Sequence, residues 1–127
     1  MHECIDQLVI TPWLSCSLAF NRGVAWSFFH SESPFVFTVV TCLVLVVMGC
    51  VAWHGYERYC NSETIGGEVL VLAGACSNVI DRFSYGAVID FIGFEYGAFC
   101  WPLFNFADVF IVMGIGIMMI NMMKKEK

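Results

Sequence analysis

Three apolar runs, separated by short polar stretches, dominate the hydropathy pattern of this chain. From Phe35 to Trp53, FVFTVVTCLVLVVMGCVAW carries no charge. At about 1.5 Å of rise per residue, such a helix crosses most of a hydrocarbon core of about 30 Å. The polar connection HGYERYCNSETIGG follows, and then EVLVLAGACSNVI, which counted from Ile65 to Ile80 can just span. A third run, ADVFIVMGIGIMMINMM from Ala107 to Met123, stops at Lys124, Lys125 and Lys127. The pattern predicts an all-α membrane protein, a single domain over residues 1–127 with spans near residues 35–53, 65–80 and 107–123. Residues 1–20 are expected to be the remnant of a partial or missing first helix, or an interfacial segment. There CIDQLVITPWLSCSLAF is apolar but short, broken by Pro12 and marked by Asp6 near its start. It lacks a basic leading region, so it does not read as a cleaved signal peptide. After Gly86 the stretch GAVIDFIGF is apolar and β-branched, which suggests an extended or re-entrant extracytoplasmic segment.

Composition agrees with a bilayer as solvent: of 127 residues, 59% are hydrophobic and only 13% charged, with a mean hydropathy of +0.75. A net charge of -5, with basic residues scattered except at the terminal KKEK, argues against nucleic acid as a partner. The lysine tail predicts a cytoplasmic C-terminus. Counting back through the spans, the loop holding Arg58 is cytoplasmic too, and the polar clusters around Asn21, Asp81 to Phe106 and the start of the last helix fall on the opposite face. Seven cysteines, an odd number without a CxxC pair, read as packing residues, and the scattered His2, His30 and His54 give no metal-ligand spacing. Trp26, Phe28, Phe29, Trp53, Tyr85, Tyr96 and Trp101 are expected to be interfacial aromatics.

An aspartate in or beside a spanning segment is costly and marks a functional position by default. The chain has four aspartates. Asn78, Asp81 and Arg82 share one helix face at the end of the second span, where an Asp81/Arg82 pair could simply finish the helix. Asp108 follows Pro102 and Asn105 at a helix start, which capping alone could explain. Asp90, set in GAVIDFIGF, has no such explanation and wants a partner. Two carboxylates at the edge of an apolar medium titrate as a coupled pair. The ionised member can take a proton from water while the protonated member polarises a scissile carbonyl. The same pair could equally serve proton or cation transfer.

With these residues in view, the chain resembles signal peptidase II, the bacterial lipoprotein signal peptidase family of four-helix intramembrane aspartic proteases. NRGVAWSF is similar to the family's Asn-x-Gly-x-Ala-x-Ser-Phe motif, SNVIDRFSYGAVIDF to its Gly-Asn-x-x-Asp-Arg and Gly-x-Val-x-Asp-Phe block, and FNFAD to its Phe-Asn-x-Ala-Asp motif. The resemblance implies that Asp90 and Asp108 are catalytic and that Asn21, Gly23, Asn78, Asp81, Arg82 and Asn105 line or support the site. Asp6, in DQ, resembles the Asp-Gln of the family's first helix. Further implications are cleavage of prolipoproteins just before a diacylglyceryl-modified Cys, no metal or organic cofactor, membrane lipids around a monomer, and residence in the bacterial inner membrane. Ser77 stands where the family usually has Gly, the Lys usual after the Asp-Gln is absent, and only five residues precede Asp6. A late start or a reduced member is therefore expected. Rival readings are a proton or ion relay through Asp81, Asp90 and Asp108, and an inactive homologue acting as a binding module.

Overall fold

The computed structural model describes residues 5–23 and 33–125. Each apolar run is a helix: α1 is Pro34–Cys60, α2 Gly66–Tyr85 and α3 Phe106–Lys125. Pro34 opens α1 at the position where a missing N–H costs nothing, and the Phe37 amide donates to the Ser33 carbonyl at 3.1 Å. Among the described residues, α1 and α3 are long and apolar enough to cross a membrane. Where three such helices were expected, length and composition support two: α2 equals α3 at 20 residues but carries Glu68, Asn78, Asp81 and Arg82.

The expected all-α class is incorrect. Strands β1 (Ile5–Thr11), β2 (Leu14–Asn21), β3 (Val88–Tyr96) and β4 (Phe99–Phe104) form an antiparallel sheet in the order β1-β2-β3-β4. The stretch read as a helix remnant or interfacial segment is two strands of 7 and 8 residues. They fold back at Pro12–Trp13, with Thr11 paired to Leu14. Pro12 takes the first central turn position, which its fixed φ suits. LSCSLAFN then alternates with a period of two, putting Ser15, Ser17 and Asn21 on the buried face and Leu18 and Phe20 on the exposed one. This is the inverse of a sheet facing water. Asp6 therefore lies in a strand, not a helix, and its side chain is outside the described part, as are Trp26, Phe28, Phe29 and Lys127.

The chain forms two compact units. One, Met1–Val40 with Ile80–Asn105, contains the sheet and the last turns of α2; the other, Thr41–Val79 with Phe106–Lys127, is built from lengths of all three helices. At the end of α2 Gly86 adopts a left-handed φ of +67°, its amide closes onto the Arg82 carbonyl at 3.0 Å, and the chain turns directly into β3. Glycine accepts that conformation without a Cβ clash.

Within the helical unit a chain of charges joins the three helices at one end. Glu68, only 1% exposed, stands 3.2 Å from His54 Nδ1 and 3.5 Å from Arg58 Nε. Arg58 also lies 3.3 Å from Glu63, and Lys125 of α3 donates to Glu63 at 2.7 Å. The Lys125 ammonium holds the Glu63 carboxyl below its ordinary 4.5, with Arg58 adding to the effect. A carboxylate whose folded value is depressed stabilises the fold above its unfolded value and loses that contribution as pH falls through the folded one. Glu63→Gln should thus melt slightly below the parent at pH 7, and the gap should close well below pH 4.5 and in high salt. Thermal scans in detergent across that range check it. A gap that widens with acid would exclude the pairing.

Candidate functional site

In the sheet-bearing unit one carboxylate organises the motif residues. Asp90 is the third residue of β3, opposite Ala19 of β2, while Asn21 pairs with Val88. Asn21 and Asp90 are therefore diagonal neighbours on one face of an antiparallel pair, close enough for side chains to meet. Asn21 Nδ2 donates to Asp90 Oδ2 at 2.9 Å. From the residue just before α3, Asn105 Nδ2 donates to Asp90 Oδ1 at 2.9 Å and to the Ile89 carbonyl at 3.2 Å. Asp90 is 3% exposed. Both of its oxygens are thus held by neutral amide donors in a buried place.

Asn21 is oriented in turn. Its Oδ1 accepts from the Gly23 amide at 2.9 Å, which directs the Nδ2 toward Asp90. The Gly23 carbonyl accepts from Arg82 Nη2. Burial desolvates that guanidinium, and the Asp90 charge offsets part of the cost; its carbon also lies 5.4 Å from the centre of the Phe37 ring. The result is a relay of contacts from Arg82 through Gly23 and Asn21 to Asp90. Arg22 Nε reaches the Gly86 carbonyl at 3.4 Å, tying the same loop to the end of α2.

Asp81 departs from the sequence reading. It does not pair with Arg82: its Oδ2 accepts from the Ile89 amide at 3.3 Å, fixing the residue before Asp90. The two side chains leave the last turns of α2 toward different backbone targets, so two hydrogen bonds to the backbone stand where an ion pair was one possible reading. Ile89 and Gly23 act only through backbone groups, which residue identity does not reveal.

In the helical unit, Asp108 occupies the first turn of α3, where the helix dipole suits a negative side chain. Asn78 Nδ2 of α2 donates to its Oδ1 at 3.0 Å. The sequence-predicted residues thus fall into two sets. Asn21, Gly23, Asp81, Arg82, Asp90 and Asn105 belong to the sheet-bearing unit, and Asn78 and Asp108 to the helical one. Among the described residues no group of three or more His, Cys, Asp or Glu side chains could hold a metal ion.

Comparison with known proteins agrees with the motifs. The family model for signal peptidase (SPase) II matches residues 1–124. A lipoprotein signal peptidase of Chromobacterium violaceum is 35% identical over 118 residues, 92% of this chain and 73% of that protein. One of Azoarcus sp. is 33% identical over 114 residues, 90% of this chain and 65% of that protein, so the chain spans just under two thirds of that relative's length. Two solved structures, each described as a bacterial membrane enzyme, share the fold. One has a TM-score of 0.72 at 23% identity, over 96% of this chain and 73% of that one; the other has 0.67 at 22%, over 97% and 78%.

Proposed function

This chain belongs to the signal peptidase II family of membrane proteases, and from that membership we propose that it removes the signal peptide from diacylglyceryl-modified prolipoproteins using Asp90 and Asp108 as a pair. The observation that carries the proposal is Asp90: a carboxylate 3% exposed, with both oxygens held by the amides of Asn21 and Asn105. A buried carboxylate with both oxygens held by side-chain donors on two different elements cannot swing away from the position they set.

Asp90 takes a proton from water as the water oxygen attacks the scissile carbonyl carbon. Asp108, held by Asn78, supplies a proton to the carbonyl oxygen and stabilises the developing charge. Collapse of the tetrahedral intermediate breaks the C–N bond: the proton gained by Asp90 passes to the departing amine of the lipidated Cys, one hydroxyl of the diol returns its proton to Asp108, and the carboxylic acid formed ionises in water. The products are a signal peptide ending in a carboxylate and a lipoprotein with a free N-terminal Cys. The chemistry consumes one water and draws on no metal or organic cofactor, and the protein works as a monomer.

The test is a gel-shift assay with the purified protein in detergent. It should cleave a prolipoprotein carrying diacylglycerol on its Cys and leave the unmodified precursor intact. Equal cleavage of both would reject the substrate class, and cleavage of neither would reject the activity.

The membrane is the bacterial inner membrane, with the C-terminus cytoplasmic and the Asp90 cluster toward the extracytoplasmic face. Lys124 and Lys125 at the end of α3 support this orientation. So does the Lys125–Glu63 contact, which brings the α1–α2 connection to the same end of the helical unit. The exposed apolar face of β2 suits a bilayer surface. With native cysteines replaced, Ala98→Cys in the β3–β4 turn should react with an impermeant thiol reagent in intact cells, and Lys124→Cys only after permeabilisation. The reverse pattern would invert the topology.

A further inference from the structure

The helical unit contains a seam of backbone contacts that ends at Asp108. Along α2, positions 67, 71, 74 and 78 recur at the spacing of one helix face, and along α3 positions 107, 111, 114 and 118 do the same. The two faces meet in antiparallel order. A Cβ on Gly67 would stand 2.7 Å from the Gly114 carbonyl oxygen, and one on Gly114 would stand 2.7 Å from Val71 Cγ2. Two turns further along α2, a Cβ on Gly74 would overlap the Ala107 carbonyl oxygen and approach Ile111 Cγ1 to 2.9 Å. Side-chain-free positions let helix backbones touch where apolar burial alone would hold them further apart.

Asn78 is the next residue on this face, four positions after Gly74, and Asp108 directly follows Ala107. The backbone contact at Gly74 and the 3.0 Å hydrogen bond from Asn78 to Asp108 are therefore adjacent rungs of one seam. The Asn side chain has a fixed short reach, so the separation of α2 and α3 decides whether its amide meets the carboxylate. We propose that Gly74 is a positioning residue for the cleavage reaction: by admitting the α3 backbone at Ala107, it sets the distance at which Asn78 holds Asp108. The proposal rests on the reading of Asp108 as catalytic.

Gly74→Ala forces the helices apart at this rung and lengthens the Asn78 contact. A catalytic group displaced by about 1 Å costs on the order of 100-fold in rate. Gly74→Ala should therefore lower kcat for a lipid-modified prolipoprotein by roughly 10- to 100-fold with KM nearly unchanged. The double variant Gly74→Ala/Asn78→Ala should be no worse than Asn78→Ala alone. Gly74→Ala/Asn78→Gln, with a longer arm that keeps the amide, should recover part of the lost kcat. Gly67→Ala is the matched control. It makes the same kind of clash two turns away from Asp108, so it should lower the melting temperature while leaving kcat within about twofold of the parent.

Equal losses of kcat in Gly74→Ala and Gly67→Ala, additive effects with Asn78→Ala, or no recovery of kcat in Gly74→Ala/Asn78→Gln would assign Gly74 to packing and overturn the proposal. Failure of Gly74→Ala to fold where Gly67→Ala folds would do the same. If instead the parent does not cleave, or Asp108→Asn cleaves normally, the catalytic reading itself fails, and the two failures are distinguished on the same gel.

Discussion

Asp90→Asn and Asp108→Asn should each reduce cleavage of a diacylglyceryl-modified prolipoprotein by about 10⁴-fold or more, the range seen when one member of a cooperating catalytic set is removed. Asn keeps the shape of the side chain and removes the titratable oxygen. In Asp90→Asn the amides of Asn21 and Asn105 lose a charged acceptor. One of them then faces an NH₂ group, so a moderate loss of stability accompanies the lost base. In Asp108→Asn the donor of Asn78 can still find an oxygen, and the fold should be nearly unaffected. The double variant should be scarcely slower than either single one, because both groups act on the same water and carbonyl. Rates from the gel-shift assay, beside melting temperatures in detergent, separate loss of chemistry from loss of structure. Near-parental activity in either single variant would end the aspartic protease reading and return the chain to the ion-relay alternative, for which a proton-flux assay in vesicles would be the next measurement.

The helices α1 and α3 were legible in the sequence because each contains a long run with almost no charge, a signal that no alternative element produces at that length; α2 showed itself by the shorter apolar run between Glu68 and Asp81. The sheet was harder. In Ile5–Asn21 the apolar residues are numerous enough to hide the period-two alternation of LSCSLAFN, and the polar members of that alternation face inward. A reader expecting polar residues outside would assign the face wrongly. Pro12 was the available signal: it reads as a break in a helix but equally as the first turn residue of a hairpin of short strands. Gly97, with a φ of +61°, marks the second hairpin in the same way. For the site, the residue types were visible and their partners were not. Asn21 and Asn105 look alike as polar residues near apolar runs, and only strand register brings Asn21 diagonally across from Asp90. Arg82 next to Asp81 suggested an ion pair, yet consecutive helical residues diverge by about 100°, and each reaches a separate backbone group.

Arg82→Ala should cause the largest loss of stability among the supporting residues, about 2–4 kcal/mol. Arg82 is 5% exposed, and its guanidinium donates to the Gly23 carbonyl and lies over Phe37. Its removal leaves a buried carbonyl without that donor and leaves the Phe37 ring without its cation. A charged hydrogen bond contributes about 1.5–3 kcal/mol and a partly desolvated cation–π contact about 1 kcal/mol. The consequence should reach the chemistry, because Gly23 is the backbone anchor of Asn21, and Asn21 orients Asp90. Activity measured well below the melting transition should fall roughly tenfold or more, in kcat more than in KM. Arg82→Lys keeps the charge but not the planar fork, so it should restore part of the stability and little of the rate. Unfolding monitored in detergent at matched concentration, with kcat measured at a temperature where every variant is folded, gives both numbers. If Arg82→Ala melts as the parent does, the Gly23 contact contributes nothing to the fold. If it is destabilised but retains the parental kcat, the link from Arg82 through Gly23 and Asn21 to Asp90 carries no orientation, and Arg82 only closes the end of α2.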